Sequence, residues 1–96
     1  MISIKITSVR PDKQTHFFES DGEFLVYRDQ TYISTGKILE INVNFSEDKL
    51  TKTTVLVFSD QTYKVEYSND PVILKNKRRS KLYNLEHSIT VTGEKL

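Results

Sequence analysis

The stretch Asp21-Gly22-Glu23-Phe24-Leu25-Val26-Tyr27-Arg28-Asp29-Gln30-Thr31-Tyr32-Ile33-Ser34 decides the fold. As a helix it separates two strands and builds a layered α+β domain; as a strand it would pair into the sheet. Its ends favour the helix. Ser20, with Glu23 three positions later, fits a capping box, in which the Ser oxygen accepts from the N3 amide and the Glu reaches back. Gly36 stands where a helix needs a left-handed residue to stop. Val26, Tyr27, Thr31, Tyr32 and Ile33 lower the intrinsic propensity and make a strand the competitor. The end signals predict a helix over roughly 21–34.

Around this stretch, four segments carry the period-two pattern of strands. Ile2, Ile4 and Ile6 alternate with Ser3, Lys5 and Thr7; Leu39, Ile41, Val43 and Phe45 alternate with Glu40, Asn42 and Asn44. Thr54-Val55-Leu56-Val57-Phe58 is apolar on both faces, as a central strand would be, and Ile89-Thr90-Val91-Thr92 alternates again. The short polar link Ser46-Glu47-Asp48-Lys49 predicts a hairpin between the second and third strands.

A second helical region has two parts. Ser59-Asp60 caps a short helix through Tyr67; Asn69-Asp70-Pro71 restarts it, with Asp70 as cap and Pro71 at N1, where a missing N–H costs nothing. Beyond it Leu74, Arg78, Leu82 and Leu85 recur at helical spacing, with Val72 and Tyr83 beside them. The tetrapeptide Asp-Gln-Thr-Tyr occurs at 29–32 and again at 60–63. The first copy lies late in a helix and the second opens one, so the identical letters hold different structural jobs.

The order is β-α-β-β-α-β: the ferredoxin-like arrangement, a four-stranded antiparallel sheet with two helices on one face and the first and third strands central. One domain of 96 residues suffices for a modest core. The net charge of +1 gives no global attraction to nucleic acid or anionic membrane. Cysteine is absent, which removes disulfides, thiolate metal sites and Cys nucleophiles together. No apolar run approaches the ~20 residues that span a bilayer, and the start lacks the apolar core of a secretory signal.

The segment from Thr35-Gly36-Lys37 through Ser46-Glu47-Asp48-Lys49-Leu50-Thr51-Lys52-Thr53 to Asn69-Asp70-Pro71 and Tyr83-Asn84 resembles small uncharacterised proteins of T4-like tailed phages of marine bacteria, cyanophages above all. The resemblance rests on turns, caps and a hairpin. It implies a phage origin and a virion or host-interaction role, with no chemistry attached.

Candidate sites are few. Lys75-Asn76-Lys77-Arg78-Arg79-Ser80-Lys81 holds five basic residues in seven. On a helix Lys77 and Lys81 point one way and Lys75, Arg78 and Arg79 another, so the run wraps the helix. It reads either as a contact for phosphate or an acidic partner, or as a solvated face. An RNA-recognition domain shares the fold order but stacks bases on rings of the open sheet face; here that face offers Ser3, Lys5, Thr7, Val55 and Val57. Dimeric α/β barrels, in which two sheets meet through their open faces, also share it, and some are cofactor-free monooxygenases or haem degraders. These need a His, Asn, Tyr or Trp in an interior pocket, whereas His16 and His87 lie far apart in sequence with no metal-ligand spacing. In the connection Arg10–Phe18, Phe17 and Phe18 either dock a partner or anchor the loop.

The expectation is a non-enzymatic, phage-encoded interaction or assembly module in virion or host cytoplasm, needing no cofactor or metal. It would bind a protein partner or itself through His16, Phe17, Phe18, Lys75, Arg78 and Arg79. The alternatives are a small dimeric α/β-barrel enzyme or ligand binder, and a nucleic-acid-binding protein acting through the basic helix.

Overall fold

The computed structural model describes all of residues 1–96. Its order is β1 (Ile2–Val9), α1 (Gly22–Arg28) continued by a π turn (Asp29–Ile33), β2 (Ile38–Phe45), β3 (Thr51–Phe58), α2 (Gln61–Asn69), α3 (Pro71–Glu86) and β4 (Thr90–Lys95). The antiparallel strands lie in the order β2-β3-β1-β4. This is the expected ferredoxin-like α+β fold, with β1 and β3 central and the second helical region broken in two at Asp70.

The decisive stretch is helical, but its cap sits one residue later than the capping box places it. Asp21 is the N-cap, its Oδ1 accepting from the Phe24 amide at 2.8 Å, while Ser20 Oγ instead accepts from Asn76 Nδ2 at 3.1 Å. The carboxylate accepts a stronger, charge-assisted bond and favours the positive helix end. Gly36 closes the segment at φ 76°. Between them the π turn reconciles β-branched and aromatic residues with the helix. In an α-helix residues five apart diverge by about 140°. A π turn bonds i to i+5, and here it brings Tyr27 and Tyr32 onto one side.

The core lies between sheet and helices. Phe24, Tyr32, Ile38, Leu56, Phe58 and Ile73 form it, with Ile2, Ile4, Ile6, Ile41, Tyr63 and Tyr67 packed alongside. The register Ile4↔Leu56 and Ile2↔Phe58 sets these side chains toward the helices, and Ser3↔Val57 and Lys5↔Val55 away from them. In β2 a bulge between Ile38 and Glu40 shifts the phase. Ile38 takes the buried place at 1% exposure, and Leu39, first of the expected inward set, is 47% exposed. The Leu74-Arg78-Leu82-Leu85 stripe marks the helix but not its inner face: Ile73 is buried, whereas Leu82 and Leu85 are 60% and 73% exposed. The hairpin is as expected: Asp48 Oδ1 accepts from Ser46 Oγ and the Leu50 amide, and Lys49 turns the chain at φ 64°.

Candidate functional site

Three places on the molecule bring polar chemistry together. The most enclosed joins α1, its π turn and the start of α3. The Tyr27 and Tyr32 hydroxyls both donate to Asp70 Oδ2 at 2.6 Å, and Asp70 Oδ1 accepts from the Val72 amide at 2.9 Å. Tyr67 packs edge-on against Tyr32 and Phe58, at centroid distances of 5.0 and 5.4 Å. Burial opposes the charged form of Asp70, but the two phenols and the helix-start amides outweigh it and hold its carboxyl below the usual range. The same geometry raises the phenols. For Tyr32, burial and then the bond to Asp70 resist ionisation; for Tyr27 the bond to Asp70 leads. A phenol held neutral while donating to a carboxylate is a poor base or nucleophile. The cluster is therefore a strut between helices, with no activated group.

The second place is a cleft of about 300 Å³ between the N-terminus of α1 and the middle of α3. Lys75 and Arg79 line it opposite Asp21 and Glu23. Arg79 donates to Asp21 Oδ2, so the cleft spends its guanidinium on its own helix cap. Asn76 Oδ1 is buried there with no donor in reach.

The third is a groove of about 400 Å³ between α3 and β4, walled by Leu85, Ile89 and Val91, with Lys77 and Lys81 among its lining residues. The basic run is thus divided across α3: Lys77 and Lys81 line one side, Lys75 and Arg79 the other, and exposed Arg78 lines neither. No three carboxylate or imidazole side chains converge as ligands for a metal ion.

The connection between β1 and α1 is tied down. Arg10 donates from Nε to the Lys49 carbonyl and from its guanidinium to the Lys13 and Thr15 carbonyls. Phe17 is half-buried against Phe45, its ring flanked by Arg10 and Lys52. Phe18 meets Tyr83 edge-on at 5.6 Å, and the His16 carbonyl accepts from Tyr83 Oη at 2.7 Å while its side chain is exposed. On the open sheet face β1 presents Ser3, Lys5 and Thr7 and β3 presents Thr53, Val55 and Val57, while Phe58 points to the core. No ring stands on this face of the central strands, so the base-stacking platform of an RNA-recognition domain is missing. No helix is long and apolar enough to cross a membrane.

The Tyr27–Asp70–Tyr32 strut escaped the sequence reading. No local spacing signals it: Tyr27 and Tyr32 stand five positions apart, and only a π turn aligns them.

The class defined so far is a ferredoxin-like α+β domain, and comparison with known proteins sharpens it. No family model and no curated protein matches the chain. Among solved structures it is similar to a proposed antibiotic biosynthesis monooxygenase from Deinococcus radiodurans, with a TM-score of 0.55 and 8% identity over 98% of this chain and 90% of that one. It is also similar to a dimeric ferredoxin-like protein of unknown function from Jannaschia, with a TM-score of 0.51 and 12% identity over the whole of both chains. Rv0793 of Mycobacterium tuberculosis follows at 0.49 and 12%, over 98% of this chain and 93% of that one. Such identities establish fold alone.

They nonetheless correct the main functional expectation. The chain-long fold likeness is to a proposed monooxygenase and to a dimeric ferredoxin-like protein of unknown function, which sits better with the small dimeric α/β-barrel alternative than with a non-enzymatic assembly module.

Proposed function

We propose that this chain is a small ligand-binding protein of the dimeric α/β-barrel kind, two copies meeting through their open sheet faces. The observation that carries this reading is the composition of that face. Val55 and Val57 run along its centre, flanked by Ser3, Thr7, Thr53, Asn42 and Thr92. Its charges are Lys5 and Glu94, which answer each other at 3.8 Å, and Glu40 opposite Val57, which accepts from Asn42 Nδ2 at 3.2 Å. Such a face, with an apolar centre and few charges, can pack on a symmetric copy. Four strands ~4.8 Å apart and ~26 Å long present on the order of 500 Å² in projection, and side-chain relief enlarges that toward the roughly 800 Å² per partner of a stable interface. The fold likeness to a protein described as dimeric supports self-association.

Binding, and not catalysis, is the role the side chains favour, because the enclosed Tyr27, Tyr32 and Asp70 are consumed by one another. Sedimentation velocity over a concentration series tests the assembly. A dimer is expected, converted to monomer by Val55→Lys with an unchanged circular dichroism spectrum. A strict monomer at the highest concentration overturns it.

A further inference from the structure

We infer that the groove between α3 and β4 binds a small amphipathic organic anion, a carboxylate or sulfonate on an apolar body. The inference rests on the ligand-binding half of the proposed function and gives its chemistry. One wall is apolar and under-covered: Leu85 is 73% exposed and Val91 42%, above a buried Ile89. These residues are adjacent because α3 turns at Ser88, at φ 56°, straight into β4. The volume, about 400 Å³, lies in the range of small-molecule sites.

The polar side has one sign. Lys77 and Lys81 stand one helical turn apart on α3, on the same side, and neither forms an ion pair. No acidic residue lines the groove, in contrast to the cleft across α3, where Asp21 and Glu23 face Lys75 and Arg79. Asn84 Nδ2 donates to Ser80 Oγ at 3.3 Å, which leaves the Ser80 hydroxyl proton free to reach an acceptor. The negative end of α3 works against an anion here. That opposition is reduced because the Tyr83 and Asn84 carbonyls accept from the His87 and Ile89 amides. Two unpaired ammonium groups beside uncovered Leu and Val fit a ligand with an acidic head and an apolar tail, and fit a cation or a sugar poorly.

The test is titration of the full chain with anilinonaphthalene sulfonate, followed by displacement. Saturable fluorescence is expected, displaced by dodecanoate and not by dodecyltrimethylammonium. Lys77→Glu and Lys81→Glu should each weaken binding about tenfold, the size of one charge-assisted contact. Arg78→Glu makes the same charge change outside the groove and should shift binding by less than about twofold, since exposed charges are screened. Leu85→Asp should abolish it. All four positions are exposed, so the variants keep the fold, as circular dichroism verifies. Equal displacement by the cationic surfactant, or equal loss in Arg78→Glu, overturns the inference. A chain that sediments as a dimer yet binds no anion overturns it and leaves the dimer standing; a monomer that still binds supports it and removes the dimer.

Discussion

Tyr32 and Asp70 meet across 38 positions of sequence, the phenol donating to Oδ2 at 2.6 Å, and this contact fastens the π turn after α1 to the first turn of α3. Tyr27 donates to the same oxygen, so one carboxylate caps a helix and holds two phenols.

Removing the buried hydroxyl should therefore cost more than an ordinary Tyr→Phe change. Tyr32 is 1% exposed and its partner is ionised. Tyr32→Phe should lower unfolding free energy by about 1.5–3 kcal/mol, the range for a hydrogen bond to a charged group. Asp70→Ala loses the helix cap as well, at about 1 kcal/mol more. Urea denaturation of the three proteins measures the differences, and equal midpoints for wild type and Tyr32→Phe would remove the strut from the account.

Stability should fall at both ends of the pH scale, for reasons that separate by mutation. The Asp70 carboxyl is lowered in the folded chain. Its contribution is then complete above the unfolded value of about 4 and is lost as pH falls through the folded value. Asp70→Asn should flatten that acid limb. The phenols of Tyr27, Tyr32 and Tyr67 are raised, Tyr67 chiefly by burial. Their contribution is complete below the unfolded value of about 10 and declines as pH rises toward the folded values. An ultraviolet titration should show the buried Tyr32 ionising only together with unfolding.

Two glycines should respond oppositely to alanine. Gly36 sits at φ 76°, where a Cβ is strained although nothing crowds it, and Gly36→Ala should destabilise by about 1 kcal/mol. Gly22 opens α1 with no atom within 4 Å of an added Cβ, and Gly22→Ala should be neutral or stabilising by up to about 1 kcal/mol. Paired thermal melts give the signs.

Adjacent residues at the β2 bulge offer a check on register. Ile38→Ala should cost about 2–5 kcal/mol as a buried truncation, while Leu39→Ala should stay within about 1 kcal/mol as a surface change. The opposite order in urea melts would restore the uninterrupted alternation that begins at Leu39.

Local patterns carried much of this protein. The alternation of Ile2, Ile4 and Ile6, the polar hairpin at Ser46–Lys49, the cap and proline at Asp70-Pro71 and the glycine stop at Gly36 each depend on neighbours within a few positions, and a chain read once suffices for them. They specify the ferredoxin-like order and the open face without rings. Tertiary packing alone decided the rest. The bulge that exchanges Ile38 for Leu39 answers to β3 across the sheet, and the choice of Asp21 over Ser20 as cap accompanies the approach of Asn76 from α3. The π turn that turns Tyr32 inward is tied to a carboxylate far along the chain. The groove beside Lys77 and Lys81 exists because Ser88 folds β4 back beneath α3. Each of these is a contact between residues distant in sequence, whose free energy depends on a three-dimensional fit that no local spacing encodes.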